Sequence, residues 1–437
     1  MKRITRKLIG LIRPRGPIGL IGLIGPMSLM GLMGLGMIAC DPEPPLHLYD
    51  AEEADVDFPI VDVDLQVYWD YELSLGISYD WTVEWYYGWD ETDQSIFGEL
   101  EYEVPTAFNL RRYYTGDTPY APHTSVQAYH VEGYHFQALF EWGFWDLLVW
   151  NDIQTLDGVQ SLILDETTSL DSVTAYTNPS MHLSRYHAPA HSRSYYTPEP
   201  LFAAYSQAMD INRSLKGFTY DAERDVWVRQ LNMELKPITY IYLTQVILHN
   251  NRGRVTSTDG SSTLSGMART TTLNTGRAGD EAVAVYYNSR MKHNVPLVPY
   301  QSYKTQKANG TNGTNGSNKA NRTNRANRAY ESGELVDIIG GRLMTFGMCG
   351  QTPNNIKSVD ELTDRYRHYM DVTMQFNNRM DSTFVFDVTD QVRRRYKGGV
   401  ITVELDMDTV PIPSRRGGSG FDAVVLEPDS VTHVIEM

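Results

Sequence analysis

The feature that most constrains the fold of this chain is a strict alternation of apolar and polar residues over positions 61–69. Every second position carries a large apolar side chain: Val61, Val63, Leu65, Val67 and Trp69. A period of two places these side chains on one face of a β-strand. Residues 81–87 alternate in the same way and predict a second strand, with Trp81 and Trp85 on one face.

Apolar runs of strand length continue after this point. Clusters of Gly, Pro, Asp and Asn separate them, and they occupy residues 107–114, 124–131, 135–140, 144–151 and 171–177. Strands at this spacing, without helical periodicity between them, are typical of a β-sandwich. We therefore expect an N-terminal β-sandwich over residues 58–217. It should end in a less regular crossover, with a short helix around residues 201–209.

The pattern of short apolar runs resumes and predicts a C-terminal β-sandwich over residues 218–437. We expect it to open with residues 226–235, followed by residues 238–249, which are too apolar for an exposed strand. Later runs predict strands at 335–349, 369–376, 382–388, 400–405 and 423–426. Residues 387–392, Asp-Val-Thr-Asp-Gln-Val, are typical of a capped helix start. The sequence therefore predicts an all-β chain with two sandwich domains in tandem.

An Asn-rich insert interrupts the second domain at residues 305–334. It repeats Asn-Gly-Thr and related triplets, and four Asn-x-Ser/Thr sequons begin at Asn309, Asn312, Asn315 and Asn321. Apolar residues are too few there to offset the entropy of ordering the chain. We expect a disordered, enlarged loop between two strands.

The N-terminal residues 1–39 have the layout of a secretory signal peptide. Basic residues precede an uncharged stretch at residues 17–39, which ends in Met37-Ile38-Ala39-Cys40. Small or apolar residues directly before a cysteine resemble the lipobox of bacterial lipoproteins, in which that cysteine is lipidated. The apolar stretch is also long enough to span a bilayer, so an uncleaved anchor is the alternative. Both readings place the rest of the chain outside the cytoplasm and hold it to a membrane, in the first case through a lipid such as palmitate on Cys40.

Residues 40–57 form an acidic, proline-containing tether after the lipidated cysteine. Repulsion between its acids should extend it away from the membrane. Acidic residues at this position resemble the surface-export signal of Bacteroidales lipoproteins. We therefore expect an outer-membrane lipoprotein that faces the cell exterior.

Net charge and cysteine content bear on nucleic-acid binding and on disulfide formation. The formal net charge is −16, and loss of the six basic residues in 1–39 would make it about −22. A chain this acidic repels phosphate backbones, which disfavours nucleic-acid binding. The two cysteines are Cys40 and Cys349. If Cys40 is lipidated, no intramolecular disulfide can form, and Cys349 is expected to be a small buried apolar residue.

Motifs for catalysis or cofactor binding are missing from the sequence. It has no P-loop, HExxH or dinucleotide-binding glycine pattern in the required context. His182, His187 and His191 are the best metal candidates, but a proline separates two of them, and we expect loop histidines. Acids such as Glu84, Asp90 and Asp146 are too numerous for any pair to indicate glycoside hydrolysis. We expect a non-enzyme without a metal or cofactor.

Tryptophan is concentrated in the first half of the chain. Seven of the eight tryptophans lie between Trp69 and Trp150. Exposed tryptophans could stack on host or dietary glycans, and Trp85, Trp89 and Trp145 are the candidate contacts. Trp145 and Trp150 differ in parity, so we expect one of them to face outward or to lie at a strand end. The alternative is that all are core and sheet-rim aromatics.

Several motifs together resemble the fimbrillin-type anchor and accessory lipoproteins of Bacteroidales, the FimB-like minor subunits, and a related uncharacterised lipoprotein family. The motifs are, in order, residues 143–152 (Gly-Phe-Trp-Asp-Leu-Leu-Val-Trp-Asn-Asp), 264–268 (Leu-Ser-Gly-Met-Ala), 343–347 (Leu-Met-Thr-Phe-Gly), 386–392 (Phe-Asp-Val-Thr-Asp-Gln-Val) and 410–413 (Val-Pro-Ile-Pro). The resemblance implies two transthyretin-like β-sandwich domains and an adhesive role in fimbriae. It also implies that subunits join by strand exchange, in which a strand of one subunit fills a groove of the next. It provides no catalytic residues.

Overall fold

The computed structural model describes residues 60–67, 80–100, 104–153, 161–165, 173–182, 193–300, 334–363, 365–414 and 424–426. The predicted signal peptide, the tether with Cys40 and the insert up to residue 333 lie outside these residues. Eleven strands occupy the first half: β1 (Ile60–Val67), β2 (Ala107–Gly116), β3 (Ser125–Glu132), β4 (His135–Leu139), β5 (Gly143–Asn151), β6 (Leu162–Asp165), β7 (Thr174–Thr177), β8 (Ser194–Tyr196), β9 (Phe202–Ile211), β10 (Thr219–Asp221) and β11 (Val226–Pro237).

Nine strands follow in the second half: β12 (Tyr240–His249), β13 (Val255–Ala268), β14 (Thr270–Thr272), β15 (Ala282–Pro296), β16 (Leu335–Thr345), β17 (Tyr369–Phe376), β18 (Asp381–Asp387), β19 (Gly399–Asp406) and β20 (Val424–Leu426). The described helices are short: α1 (Glu91–Phe97), α2 (Thr389–Arg394) and the 3-10 turns Trp81–Val83, Pro353–Asn355 and Val359–Glu361. The predicted all-β class is confirmed.

The first sheet is ordered β3-β2-β5-β9-β11-β1-β4, and β10 pairs with β11. Its end strands β3 and β4 follow each other along the chain with only Gly133 and Tyr134 between them. The sheet must therefore curl back on itself so that its two ends approach. Strand β11 makes the corner, because it pairs with β1 over residues 228–235 and with β9 only at Lys236 and Pro237.

Strand β11 lies in this first sheet, although the sequence pattern placed residues 226–235 at the opening of the second domain. Apart from β8, which pairs with β15, the described strands of the second sheet begin at β12. The apolar alternation identified the strand correctly, but alternation carries no information about which neighbour a strand pairs with. The division at residues 217 and 218 and the transthyretin-like topology stay predictions.

The second sheet is ordered β19-β12-β16-β15-β13-β17-β18-β20, and β8 pairs with β15. Strand β15 joins two layers, because residues 282–288 pair with β13 and residues 289–296 pair with β16. Apolar residues from both layers form one core between them. A small third sheet, β14-β7-β6, pairs a strand of the first half with one of the second.

Strands β5 and β12 are buried on both faces. In β12, Ile241, Leu243 and Ile247 belong to the core under the first sheet, whereas Tyr242, Val246 and Leu248 belong to the core of the second. This confirms that residues 238–249 are not an exposed strand. Neither Trp145 nor Trp150 faces outward, since both are buried in separate cores on opposite faces of β5. Trp150 meets the other half of the expectation, because it lies one residue before the end of β5.

Two local predictions are wrong. Residues 81–87 form a 3-10 turn followed by irregular backbone rather than a strand. Asp80 caps the turn by accepting from the backbone N–H of Thr82. Residues 201–209 do not form a helix. They belong largely to β9, where pairing with β5 overrides the helix propensity of the alanines. The predicted helix start is confirmed at Thr389, whose backbone N–H donates to Asp387.

Candidate functional site

The outer edge of β18 is the candidate functional site. Strand β18 pairs antiparallel with β17 on one side and parallel with β20 on the other. The register places Phe384, Val385 and Phe386 opposite β20, the last strand that the structure describes. These three residues have exposed fractions of only 2%, 1% and 1%. The C-terminal segment is thus added at the end of the sheet, where the sandwich core reaches its margin.

Strand β20 covers less than half of this edge. It is 3 residues long, whereas β18 has 7. Within the described part of the chain, no strand pairs with the outer edge of Asp381, Ser382 and Thr383. An uncovered strand edge carries backbone N–H and C=O groups that can pair with another chain. The site can therefore bind an extended segment by main-chain hydrogen bonds.

A charged cluster joins α1 to strand β15 and contains two groups with shifted pKa values, Tyr87 and Asp90. Asp93 is fully buried and contacts Arg290 at 2.6 Å as well as Lys292, and the Tyr87 hydroxyl donates to it at 2.9 Å. Burial opposes ionisation of Asp90, but hydrogen bonds from the Asp93 backbone, Lys292 and Arg290 outweigh it and lower the pKa of Asp90. Burial and the Asp93 carboxylate raise the pKa of Tyr87. Because each charge has a partner, the cluster acts as a clamp between two elements.

The structure places two of the three candidate glycan contacts in the core. Trp85 and Trp145 have exposed fractions of 0% and 2%. Their indole N–H groups donate inward, to the carbonyls of Gly88 at 3.0 Å and Glu141 at 2.9 Å. Their assignment as exposed contacts is therefore wrong, because alternation reports which residues share a face but not what covers that face. Trp89 is half-buried and packs on Phe97.

The carboxylates considered for hydrolysis occupy separate structural positions. Glu84 accepts two hydrogen bonds from Arg395, at 2.6 and 2.8 Å. Asp146 is buried beside His123, at 3.0 Å, and accepts from the backbone N–H of Ala208 at 2.6 Å, which holds a bulge in β9. The structure therefore does not bring Glu84, Asp90 and Asp146 together in one cleft.

Of the candidate metal ligands and the cysteines, His182 and Cys349 lie among the described residues. His182 stacks on Tyr286 with ring centroids 3.8 Å apart, while His187 and His191 lie outside the described residues. Among the described side chains, no three potential metal ligands are grouped. Cys349 is confirmed as buried, with an exposed fraction of 5%. None of the helices described here is long and apolar enough to cross a membrane.

The sequence contains part of the β18 site. Residues 382–388 and 423–426 were both predicted as strands, and the structure has strands at Asp381–Asp387 and Val424–Leu426. What the sequence did not reveal is that these two pair with each other at the end of a sheet. A parallel pairing between segments about 40 residues apart leaves no local turn signal.

Comparisons with known proteins found similar solved structures only. No family model matches the sequence, and no curated protein matches it. A candidate adhesin from Bacteroides ovatus is similar, with 11% identity and a TM-score of 0.44, over 82% of this chain and 95% of that one. A candidate adhesin from Bacteroides thetaiotaomicron has 9% identity and a TM-score of 0.38, over 80% and 93%.

The fimbrial anchor protein Mfa2 from Porphyromonas gingivalis is also similar, with 9% identity and a TM-score of 0.35, over 79% of this chain and 90% of that one. These solved structures are of Bacteroidales adhesive and fimbrial proteins, the class that the sequence motifs resemble.

Proposed function

We propose that this chain is a surface-exposed outer-membrane lipoprotein that acts as a fimbrial anchor or accessory subunit. Its role is structural and adhesive rather than catalytic, and it joins partner subunits by strand exchange. The observation that carries this proposal is the edge of β18, on which a C-terminal segment of 3 residues lies in parallel register.

Pairing length favours replacement of this segment by a partner's strand. Strand β20 pairs with Phe384, Val385 and Phe386, and a longer incoming strand would also pair with residues 381–383. Each additional pair satisfies backbone groups of β18 that β20 does not pair. A partner's strand should therefore bind this edge more tightly than the chain's own C-terminal segment does.

Membrane attachment is assigned to Cys40. The cysteine follows Met37-Ile38-Ala39, and the acidic tether follows it directly. Two acyl chains suffice for stable anchoring, at about 0.8 kcal/mol for each buried CH₂. The lipid would hold the β-sheet part at the outer face of the membrane, and the β18 edge would take up the next subunit.

Strand exchange can be tested on the full chain with a protease recognition sequence in place of residues 415–420. After cleavage, residues 421–437 are held only by non-covalent contacts such as the pairing with β18. A fluorescently labelled peptide of residues 421–437 should then replace the cleaved tail, measured as a rise in fluorescence polarisation. The same peptide should not bind the uncleaved chain.

A peptide N-methylated at positions 424–426 is the matched control. It keeps the side chains but cannot donate backbone hydrogen bonds, so it should not exchange. Equal binding of the methylated and unmethylated peptides would refute strand pairing at this edge. So would a cleaved chain that binds neither peptide.

Lipid attachment has its own test. Cys40→Ala should move the protein from the membrane fraction to the soluble fraction after cell lysis, because no acyl chain can be attached. Cys349→Ala should leave the protein in the membrane fraction. Membrane retention of the Cys40→Ala variant would contradict the lipid anchor and favour an uncleaved apolar stretch.

A further inference from the structure

The opposite end of the second sheet also exposes a strand edge. Strand β19 pairs in parallel with β12 on one side, and no strand that the structure describes pairs with its other side. Its sequence, Gly-Val-Ile-Thr-Val-Glu-Leu-Asp, is rich in β-branched residues. A β-prone edge of this kind readily pairs with another chain. The sequence of β19 alone would therefore favour association through this edge.

A glutamine side chain occupies the middle of that edge. The Nε2 of Gln391 donates to the carbonyl of Thr402 at 2.8 Å, and its Oε1 accepts from the backbone N–H of Thr402 at 2.9 Å. In a parallel ladder, alternate residues direct both their N–H and C=O groups to the same side. Thr402 directs both toward Gln391, away from β12. A primary amide has the donor and acceptor of a peptide group, so it pairs with Thr402 as one residue of an added strand would.

The helix that carries Gln391 is held firmly at this position. The Asp387 side chain accepts from the backbone N–H of Thr389 at 3.0 Å and from its hydroxyl at 2.5 Å. Val392 is fully buried in the core of the second sheet. Directly after the helix, Arg395 donates to Glu84. Helix α2 is therefore fixed at its start, middle and end.

Thr402 is also held through its side chain. Its hydroxyl accepts from Gln245 Nε2 at 2.8 Å, and the same amide nitrogen donates to the carbonyl of Glu84 at 2.7 Å. Gln245 Oε1 accepts in turn from the backbone N–H of Tyr86 at 2.9 Å. Two glutamine amides thus satisfy the backbone and the hydroxyl of Thr402.

We propose that Gln391 closes the β19 edge against strand addition, so that the second sheet can accept a strand at only one end, β18. The consequence of this inference for fibre growth rests on the proposed strand exchange at β18. With one end open and the other closed, each subunit accepts one strand at this sheet, and growth there proceeds in a single direction. The strand that would pair with an opened β19 is β19 of a second copy, because identical edges are related by a two-fold axis.

The test is the association state of the full chain in detergent, measured by sedimentation velocity over a hundredfold range of concentration. Gln391→Ala removes both hydrogen bonds to Thr402, and we expect the protein mass to double as concentration rises. Gln391→Asn, whose amide is one methylene too short to reach, should behave in the same way. The unsubstituted chain should stay monomeric throughout.

A second substitution separates edge pairing from misfolding. Thr402→Pro, added to Gln391→Ala, removes the backbone N–H that faces away from β12 and should restore the monomer, because a proline cannot donate to an added strand. Persistent association of the double variant would overturn the proposal. So would a Gln391→Ala variant that keeps the native circular dichroism spectrum and stays monomeric. Neither result depends on exchange at β18, so the two proposals can fail separately.

Discussion

At the scale of single residues, two sequence motifs meet in space and explain each other. In residues 264–268, the pairing register of β13 shifts between Leu264 and Met267, which places Gly266 at φ +83°. In residues 343–347, Gly347 follows the end of β16, and its carbonyl accepts from the backbone N–H of Ala268 at 2.9 Å. The motifs therefore encode a bulge and the segment that hydrogen-bonds to it, rather than a binding site.

Gly266→Ala should be strongly destabilising. An ideal Cβ at this position would lie 2.5 Å from the carbonyl oxygen of Arg367. The left-handed conformation costs about 1–2 kcal/mol for alanine, and the overlap adds about 1–3 kcal/mol. Denaturant unfolding should show a loss of about 2–5 kcal/mol. Gly98→Ala is the matched control, because Gly98 has φ +82° with nothing within 4 Å, so only the conformational cost should appear.

Glu199 should make stability depend on pH. The residue is 3% exposed, its Oε2 has no hydrogen-bond partner among the described residues, and burial raises its pKa. A carboxyl with a raised folded-state pKa contributes stability that is complete below its unfolded pKa of about 4.3 and is lost as pH rises through the folded value. Glu199→Gln should therefore gain unfolding free energy relative to the parent at pH 7.5 but not at pH 4.

Urea unfolding of both proteins at the two pH values measures this difference. Glu132→Gln, at an exposed position in β3, is the control and should show no pH-dependent gain. A difference between Glu199→Gln and the parent that stays constant with pH would contradict the role of the buried carboxyl.

At the scale of elements, the segment at residues 80–100 shows where sequence patterns fail. Alternation predicted a strand at 81–87 with Trp81 and Trp85 on one face, and both side chains are buried. The backbone is nevertheless not part of a sheet, since the Gln245 side chain, rather than a neighbouring strand, accepts from the N–H groups of Tyr86 and Tyr87. A partner 158 residues away cannot be inferred from local periodicity.

Asp93 should be the residue on which this segment depends most. Asp93→Ala would leave Lys292 and Arg290, with side chains 13% and 28% exposed, without their shared buried carboxylate. Removal of one partner of a buried ion pair costs about 3–5 kcal/mol. We expect a loss of that size in denaturant unfolding, together with faster proteolysis between residues 80 and 100.

Glu91→Ala is the comparison for Asp93→Ala, because it removes an exposed carboxylate from the same helix. Its effect should stay within about 0.5 kcal/mol. If both substitutions had the same small effect, the charged cluster would not be the clamp that the distances indicate.

At the scale of the whole molecule, the two halves that the sequence pattern assigned to separate domains share strands and core side chains. Residues 58–437 form one compact unit, strand β12 supplies alternate side chains to two cores, and β7 pairs with β14 from the other half. Periodicity identified most strands and the all-β class, because both depend on neighbours in sequence. The pairing of distant strands depends on the packed core, which no local pattern contains.

This sharing predicts a single unfolding transition. All eight tryptophans precede β12, so their fluorescence reports on the first half, whereas labelling of the buried Cys349 thiol reports on the second. Because β12 contributes side chains to both cores, loss of one core should disrupt the other. Both probes should therefore show the same denaturant midpoint. Two midpoints separated by more than the width of one transition would show that the halves unfold independently.

The register of β15 and β16 has a practical consequence. Pro296 lies directly opposite Leu335, so β15 and β16 bring the chain together on either side of residues 297–334, the segment that contains the Asn-rich insert. Each doubling of loop length adds only about 0.6 kcal/mol to the entropy of closing such a connection. The position is therefore suited to carrying a foreign peptide, such as an epitope or an enzyme tag, as a display platform for engineered cells.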